Sequence, residues 1–135
     1  MNNDKKKELI TGFFNAFGSN SVSDALACLD EKATWRVMGR EGGMPISGEM
    51  DPNGITELMG TVADTLVDGF KLMPHAWTIE GERVALEMES YGEKADGTVY
   101  NNHYHFLVTV SNNKITALRE YGDTYHVWRV FIKDA

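Results

Sequence analysis

The stretch TVYNNHYHFLVTVSNNKITALREYGD, residues 98–123, decides the architecture. Its first half alternates strictly: Tyr100, Asn102, Tyr104, Phe106 and Val108 share one side, and Asn101, His103, His105 and Leu107 the other. A period of two over this length is the pattern of a strand with unlike faces. Asn112-Asn113 then marks a two-residue hairpin, because asparagine tolerates the positive φ that such turns demand. The return strand runs from Lys114 to Asp123, where Ala117, Arg119, Tyr121 and Asp123 alternate with Leu118, Glu120 and Gly122.

Working outward, Asp96-Gly97 marks the preceding hairpin in the same way, and RVALEMESYGEK (83–94) and FKLMPHAWTI (70–79) meet at the Gly81 turn. Successive hairpins predict an antiparallel meander. Upstream the spacing is helical. Leu9, Ile10, Phe13, Phe14 and Phe17 form one stripe that stops at Gly18, and SVSDALACLDE (21–31) predicts a second helix with Ser21 and Asp24 as a capping box. ATWRVM (33–38) predicts a strand. Asp51-Pro52 opens a third helix whose buried face carries Ile55, Leu58, Met59, Val62, Leu66 and Val67. Three helices followed by such a sheet predict an α+β domain with the helices on one face of the sheet.

The chain has 135 residues, sufficient for one domain with one core. A net charge of −7 opposes binding to nucleic acid or to anionic membranes. Cys28 is the only cysteine, which excludes an intrachain disulfide and a thiolate metal cluster. No apolar run is long enough to span a membrane, and the first residues lack a signal-peptide core, so a cytoplasmic setting is expected.

Trp35 on the first strand, YNNHYHFLVTVSNNKI (100–115) and REYGDT (119–124) together resemble the nuclear transport factor 2-like superfamily, in its SnoaL-like, polyketide cyclase-like branch. The resemblance covers nearly the whole chain. It implies a cone-shaped half-barrel with three helices against a curved, mainly antiparallel sheet and a mostly apolar cavity. It also implies no metal or organic cofactor, a small hydrophobic ligand, and a homodimer formed through the outer sheet face. Enzymes and non-catalytic binding modules both occur on such a fold, so both readings stay open.

By this resemblance Asp123 is the cavity aspartate that shuttles a proton on the acidic carbon of a hydrophobic carbonyl compound, as in an isomerase or cyclase. Tyr104 and Asn102, on the expected concave row, can hold the oxygen as it gains charge. Trp35, Val37, Met59 and Leu86 are expected to line the cavity, together with Met88, Phe106, Tyr121 and Tyr125. The chain departs from the epoxide-hydrolase pattern, which places an arginine and a second aspartate where this sequence has Met88 and Ser90.

Other features carry plainer readings. As a helix N-cap, Asp123 would be doing an ordinary structural job. His103 and His105 form H-x-H on the outer row without an evident third metal ligand. Glu87 and Glu89 oppose the apolar row Val84–Leu86–Met88 and read as a solvated or interfacial pair. The glycine-rich loop 39–49 lacks a dinucleotide-binding context and reads as a flap near the cavity mouth.

Overall fold

Asn2 caps the first helix by accepting a hydrogen bond from the Lys5 amide at 2.8 Å in the computed structural model, which describes residues 1–133. That helix, α1 (Asn3–Gly18), buries Ile10, Phe13, Phe14 and Phe17, the stripe predicted by spacing. Its end lies against the sheet. A Cβ on Gly18 would come within 2.1 Å of the Phe70 carbonyl oxygen, so this close approach requires glycine.

The second helix is shorter than its apolar pattern predicts. α2 (Val22–Ala27) ends before Leu29, which opens β1 (Leu29–Val37). No capping box forms, and the Ser21 hydroxyl instead lies 3.0 Å from that of Ser19. After β2 (Gly48–Met50), Asp51 caps α3 (Pro52–Thr65) by accepting from the Gly54 amide at 2.9 Å. Ile55, Met59, Val62 and Leu66 are buried as expected, whereas Val67 lies beyond the helix and is exposed.

The remaining strands are β3 (Phe70–Glu80), β4 (Arg83–Glu93), β5 (Val99–Tyr100), β6 (His103–Ser111) and β7 (Lys114–Gly122). They form one open, curved sheet in the order β2-β1-β7-β6-β4-β3, with β5 beside β4. Among the described residues only β1 against β7 is parallel; the other pairs are antiparallel. Asn112 and Asn113 have φ of 53° and 65°, as the β6–β7 hairpin requires. The strand predicted over 98–110 is interrupted at Asn101–Asn102, yet β5 and β6 keep one register against β4. Tyr100, Asn102, Tyr104, Phe106 and Val108 are therefore all buried on the concave side.

The return strand breaks the simple alternation. Val110 pairs with Ile115 but Thr109 pairs with Ala117, so Thr116 is an extra residue in β7. Such a bulge reverses the facing of everything after it. Ile115 and Leu118 are both buried, and beyond them Glu120 turns inward, not Arg119 or Tyr121. β7 gives way to α4 (Thr124–Val127) and a π-helical turn, Trp128–Lys133.

An aromatic cluster joins the layers. Phe14 meets Phe106 edge-on at 5.0 Å between ring centroids, and Trp35 lies 5.1 Å from Phe17 and 5.7 Å from Phe106. Among the described residues, no helix is long and apolar enough to cross a membrane.

Candidate functional site

Between the concave face and the helices lies a cavity of about 500 Å³. Phe14 and Phe17 of α1 and Trp35, Val37, Phe70, Tyr100, Tyr104 and Phe106 of the sheet form its walls. α3 presents Gly54, Leu58, Thr61 and Thr65, one helical stripe, with Glu57 toward the mouth. Val127, Phe131 and Ile132 close the far side, and residues 45–50 form the rim.

Glu120 is the inner acid of this cavity, whereas Glu49 and Glu57 line it as exposed side chains. It stands opposite Val37 on one side and Phe106 on the other. Its Oε1 accepts a hydrogen bond from the indole nitrogen of Trp35 at 3.1 Å, and no other polar side chain engages it among the described residues. Protein surrounds the carboxyl closely, and the half-buried residue lines the cavity. Burial pushes its pKa up to about 7, against the opposing pull of the Trp35 bond.

A chain of hydroxyls lies along the neighbouring strands. The Tyr100 and Tyr104 oxygens are 2.7 Å apart, and Ser90 Oγ lies 3.1 Å from that of Tyr104. Asn102 feeds both ends: its side-chain amide donates to Tyr100 at 3.0 Å, and its backbone amide donates to Ser90 at 3.1 Å. Three hydroxyl protons serve two hydroxyl–hydroxyl contacts, and Ser90, fully buried, can spend its own only on Tyr104. One phenolic proton, on Tyr100 or Tyr104, is therefore left without a protein acceptor among the described residues. Both rings line the cavity. Burial raises the Tyr100 pKa to about 12 and that of Tyr104 well above its ordinary value, so both phenols stay protonated at neutral pH.

Phe106 lies directly across from Glu120, and Tyr104 is two residues further along the same face of β6. Glu120 and Tyr104 are thus diagonal neighbours, a relation that places residues roughly 7–8 Å apart, within reach of long side chains. Gly122 shapes the same corner. It pairs with Tyr104, and a Cβ there would lie 3.0 Å from the tyrosine ring.

The expected acid lies elsewhere. Asp123 is exposed, and its carboxylate accepts the His126 amide at 3.1 Å as the N-cap of α4. The Thr116 bulge is the physical reason, since it sends the odd-numbered residues beyond it outward. Tyr121, which shares that parity, and Tyr125, on α4, are exposed and do not line the cavity. Asn102 is buried, but its amide is fully used. The nitrogen serves Tyr100 and the Asp123 carbonyl, and the oxygen takes the His103 and Asp123 amides, which leaves nothing for a ligand. Trp35, Val37, Tyr104 and Phe106 line the cavity as expected, whereas Met59, Leu86 and Met88 are buried in the core behind it.

Sequence reasoning passed over Glu120 and Tyr100. Tyr100 shared a row with Tyr104 and was legible by parity. Glu120 shared parity with Leu118, which was the available signal. On the outer face, Glu87 and Glu89 stand across from His105 and His103, and Glu89 is held by His75 and Asn101. No cluster of three or more potential metal ligands occurs among the described residues.

Residues 10–118 match the profile of the SnoaL-like domain. The chain belongs to the SnoaL-like domain family. The match stops two residues before Glu120, so family membership alone leaves the cavity acid of this SnoaL-like domain unassigned. Comparison with curated protein sequences finds no match.

Solved structures share the fold. A nuclear transport factor 2-like protein from Burkholderia xenovorans is 22% identical with a TM-score of 0.75, over 96% of this chain and 98% of that one. TerC, co-crystallised with polyporic acid, is 20% identical with a TM-score of 0.78, over 93% and 97%. A Catenulispora acidiphila protein with a ketosteroid isomerase-like fold, in complex with trimethylamine, is 14% identical with a TM-score of 0.75, over 91% of each chain. At these identities the likeness of the SnoaL-like domain to them concerns the fold.

Proposed function

We propose that this SnoaL-like domain binds a small, mostly apolar carbonyl compound and moves a proton on the carbon beside the carbonyl, without a metal or organic cofactor. The observation that carries the reading is the diagonal pairing of Glu120 with the Tyr100–Tyr104 hydroxyls across one cavity. That TerC was crystallised with polyporic acid, and the Catenulispora protein with trimethylamine, supports small-molecule occupancy of this kind of fold.

In the ionised state, Glu120 removes a proton from the carbon. The C–H electron pair becomes the C=C bond of an enolate, and the oxygen takes up the negative charge. The spare phenolic proton is the donor that meets this charge, in a cavity where water competes little. Where a C=C bond is conjugated with the enolate, Glu120 returns the proton to the far end of the dienolate, which isomerises the compound. Otherwise the enolate carbon attacks a second carbonyl, which closes a ring, and the new alkoxide takes the proton from Glu120. A base with a pKa near the working pH suits this cycle, because the same group must take and release the proton.

The test is exchange of ketone α-protons into heavy water, followed by NMR on a panel of aryl and cyclic ketones, with wild type and Glu120→Gln. Exchange by wild type alone, rising with pH near 7, supports proton transfer. Ligands that raise the melting temperature of both forms without exchange by either would make the domain a binding module instead.

A further inference from the structure

Aromatic rings and carboxylates line the cavity, and among its described lining residues there is no lysine, arginine or histidine. An anion entering would find no countercharge. Glu120 reaches the cavity with Oε2 free of side-chain partners among the described residues, and Glu57 lines it from the cavity-facing stripe of α3. Phe14, Phe17, Trp35 and Phe106 pack on one another as an almost wholly buried wall, and Phe70 and Phe131 are lining rings that keep exposed surface. Aromatic walls with a carboxylate are the environment in which an organic cation is favoured, since ring faces are electronegative and little water competes.

We propose that the ligand carries a positive charge, a protonated or quaternary amine seated among these rings within reach of Glu120. The proposal rests on the proposed function, whose site it uses, and narrows its substrate class to carbonyl compounds bearing an ammonium group. The chemistry fits: a carbon between a carbonyl and a positive nitrogen gives up its proton more easily. Glu57 contributes attraction at the entrance, weakened by solvent screening.

The experiment compares two probes of nearly identical shape, phenacyltrimethylammonium and its uncharged carbon isostere, neopentyl phenyl ketone. Binding to the purified chain is followed by thermal shift and calorimetry. The expected result is about tenfold tighter binding of the cation, with the preference lost in Glu120→Gln and reduced in Glu57→Gln. Equal or tighter binding of the isostere, no binding of either, or an undiminished preference in Glu120→Gln would overturn the proposal. Proton exchange on uncharged ketones is read separately. If that exchange persists while the cation shows no advantage, the inference about charge fails and the proton-transfer reading stands.

Discussion

The indole nitrogen of Trp35 donates a hydrogen bond to Oε1 of Glu120 over 3.1 Å, tying β1 to the end of β7 inside the cavity. The bond fixes one carboxyl oxygen and leaves the other for a ligand. It also favours the charged form of an acid that burial otherwise keeps neutral. Trp35→Phe should therefore move the rising limb of exchange activity to higher pH. Loss of packing and of the bond should cost about 2 kcal/mol of stability, read by urea unfolding. An unmoved pH profile would separate Trp35 from the acid.

Glu120 also makes stability depend on pH. Unfolded, its carboxyl loses the proton near the ordinary value of 4.5; folded, it holds the proton until about 7. Between these values the folded state binds more protons, so stability falls as pH rises, by up to about 3 kcal/mol. Glu120→Gln cannot ionise and should match wild type near pH 4.5 while melting at a higher temperature at pH 8. A constant difference between the two proteins across this range would contradict the assignment.

Asp123→Ala removes the α4 cap and should cost about 1 kcal/mol, as such caps do. Proton exchange should persist, because the carboxylate is outside the cavity. Exchange abolished in a variant that still melts cooperatively would return the catalytic role to Asp123.

Asn102→Ala strands the His103 and Asp123 amides and removes the donor to Tyr100. A loss of about 2–4 kcal/mol is expected in chemical denaturation, since buried polar groups without partners are costly. A shift under 1 kcal/mol would imply that water replaces the amide.

At Gly122 the added methyl of alanine must push on the Tyr104 ring, 3.0 Å away. Gly122→Ala should slow exchange more than it lowers the melting temperature, because the displaced phenol leaves its place beside Tyr100. Unchanged exchange kinetics would mean that Tyr104 does not meet the substrate oxygen.

The α+β layering was legible in the sequence because hydrophobic period and turn chemistry agreed in most places. Asn112-Asn113 and Asp51-Pro52 specify their turn and helix start almost alone. The concave row of β6 could be read for the same reason, since Tyr100 through Val108 never skip a step. The acid was not legible. Thr116 looks like any strand threonine, and nothing local distinguishes a bulge from regular pairing. A carboxylate between Arg119 and Tyr121 also resembles a solvated surface residue, and only the closure of β1 over β7 reveals the enclosure. α2 ended early for a comparable reason: Leu29 fits the helical stripe, but pairing with Ile115 holds it in the sheet.

The Thr116 bulge gives β7 two possible chemistries. Its even residues past the bulge offer Leu118 and Glu120; its odd ones offer Arg119 and Tyr121. Loss of the bulge with every residue kept would pair Arg119 with Phe106 and turn an acid-lined wall into a guanidinium-lined one, whereas deletion of Thr116 would leave Glu120 opposite Phe106. Substrate charge in this fold can thus change sign by a one-residue slip in strand pairing, without any substitution at the cavity wall.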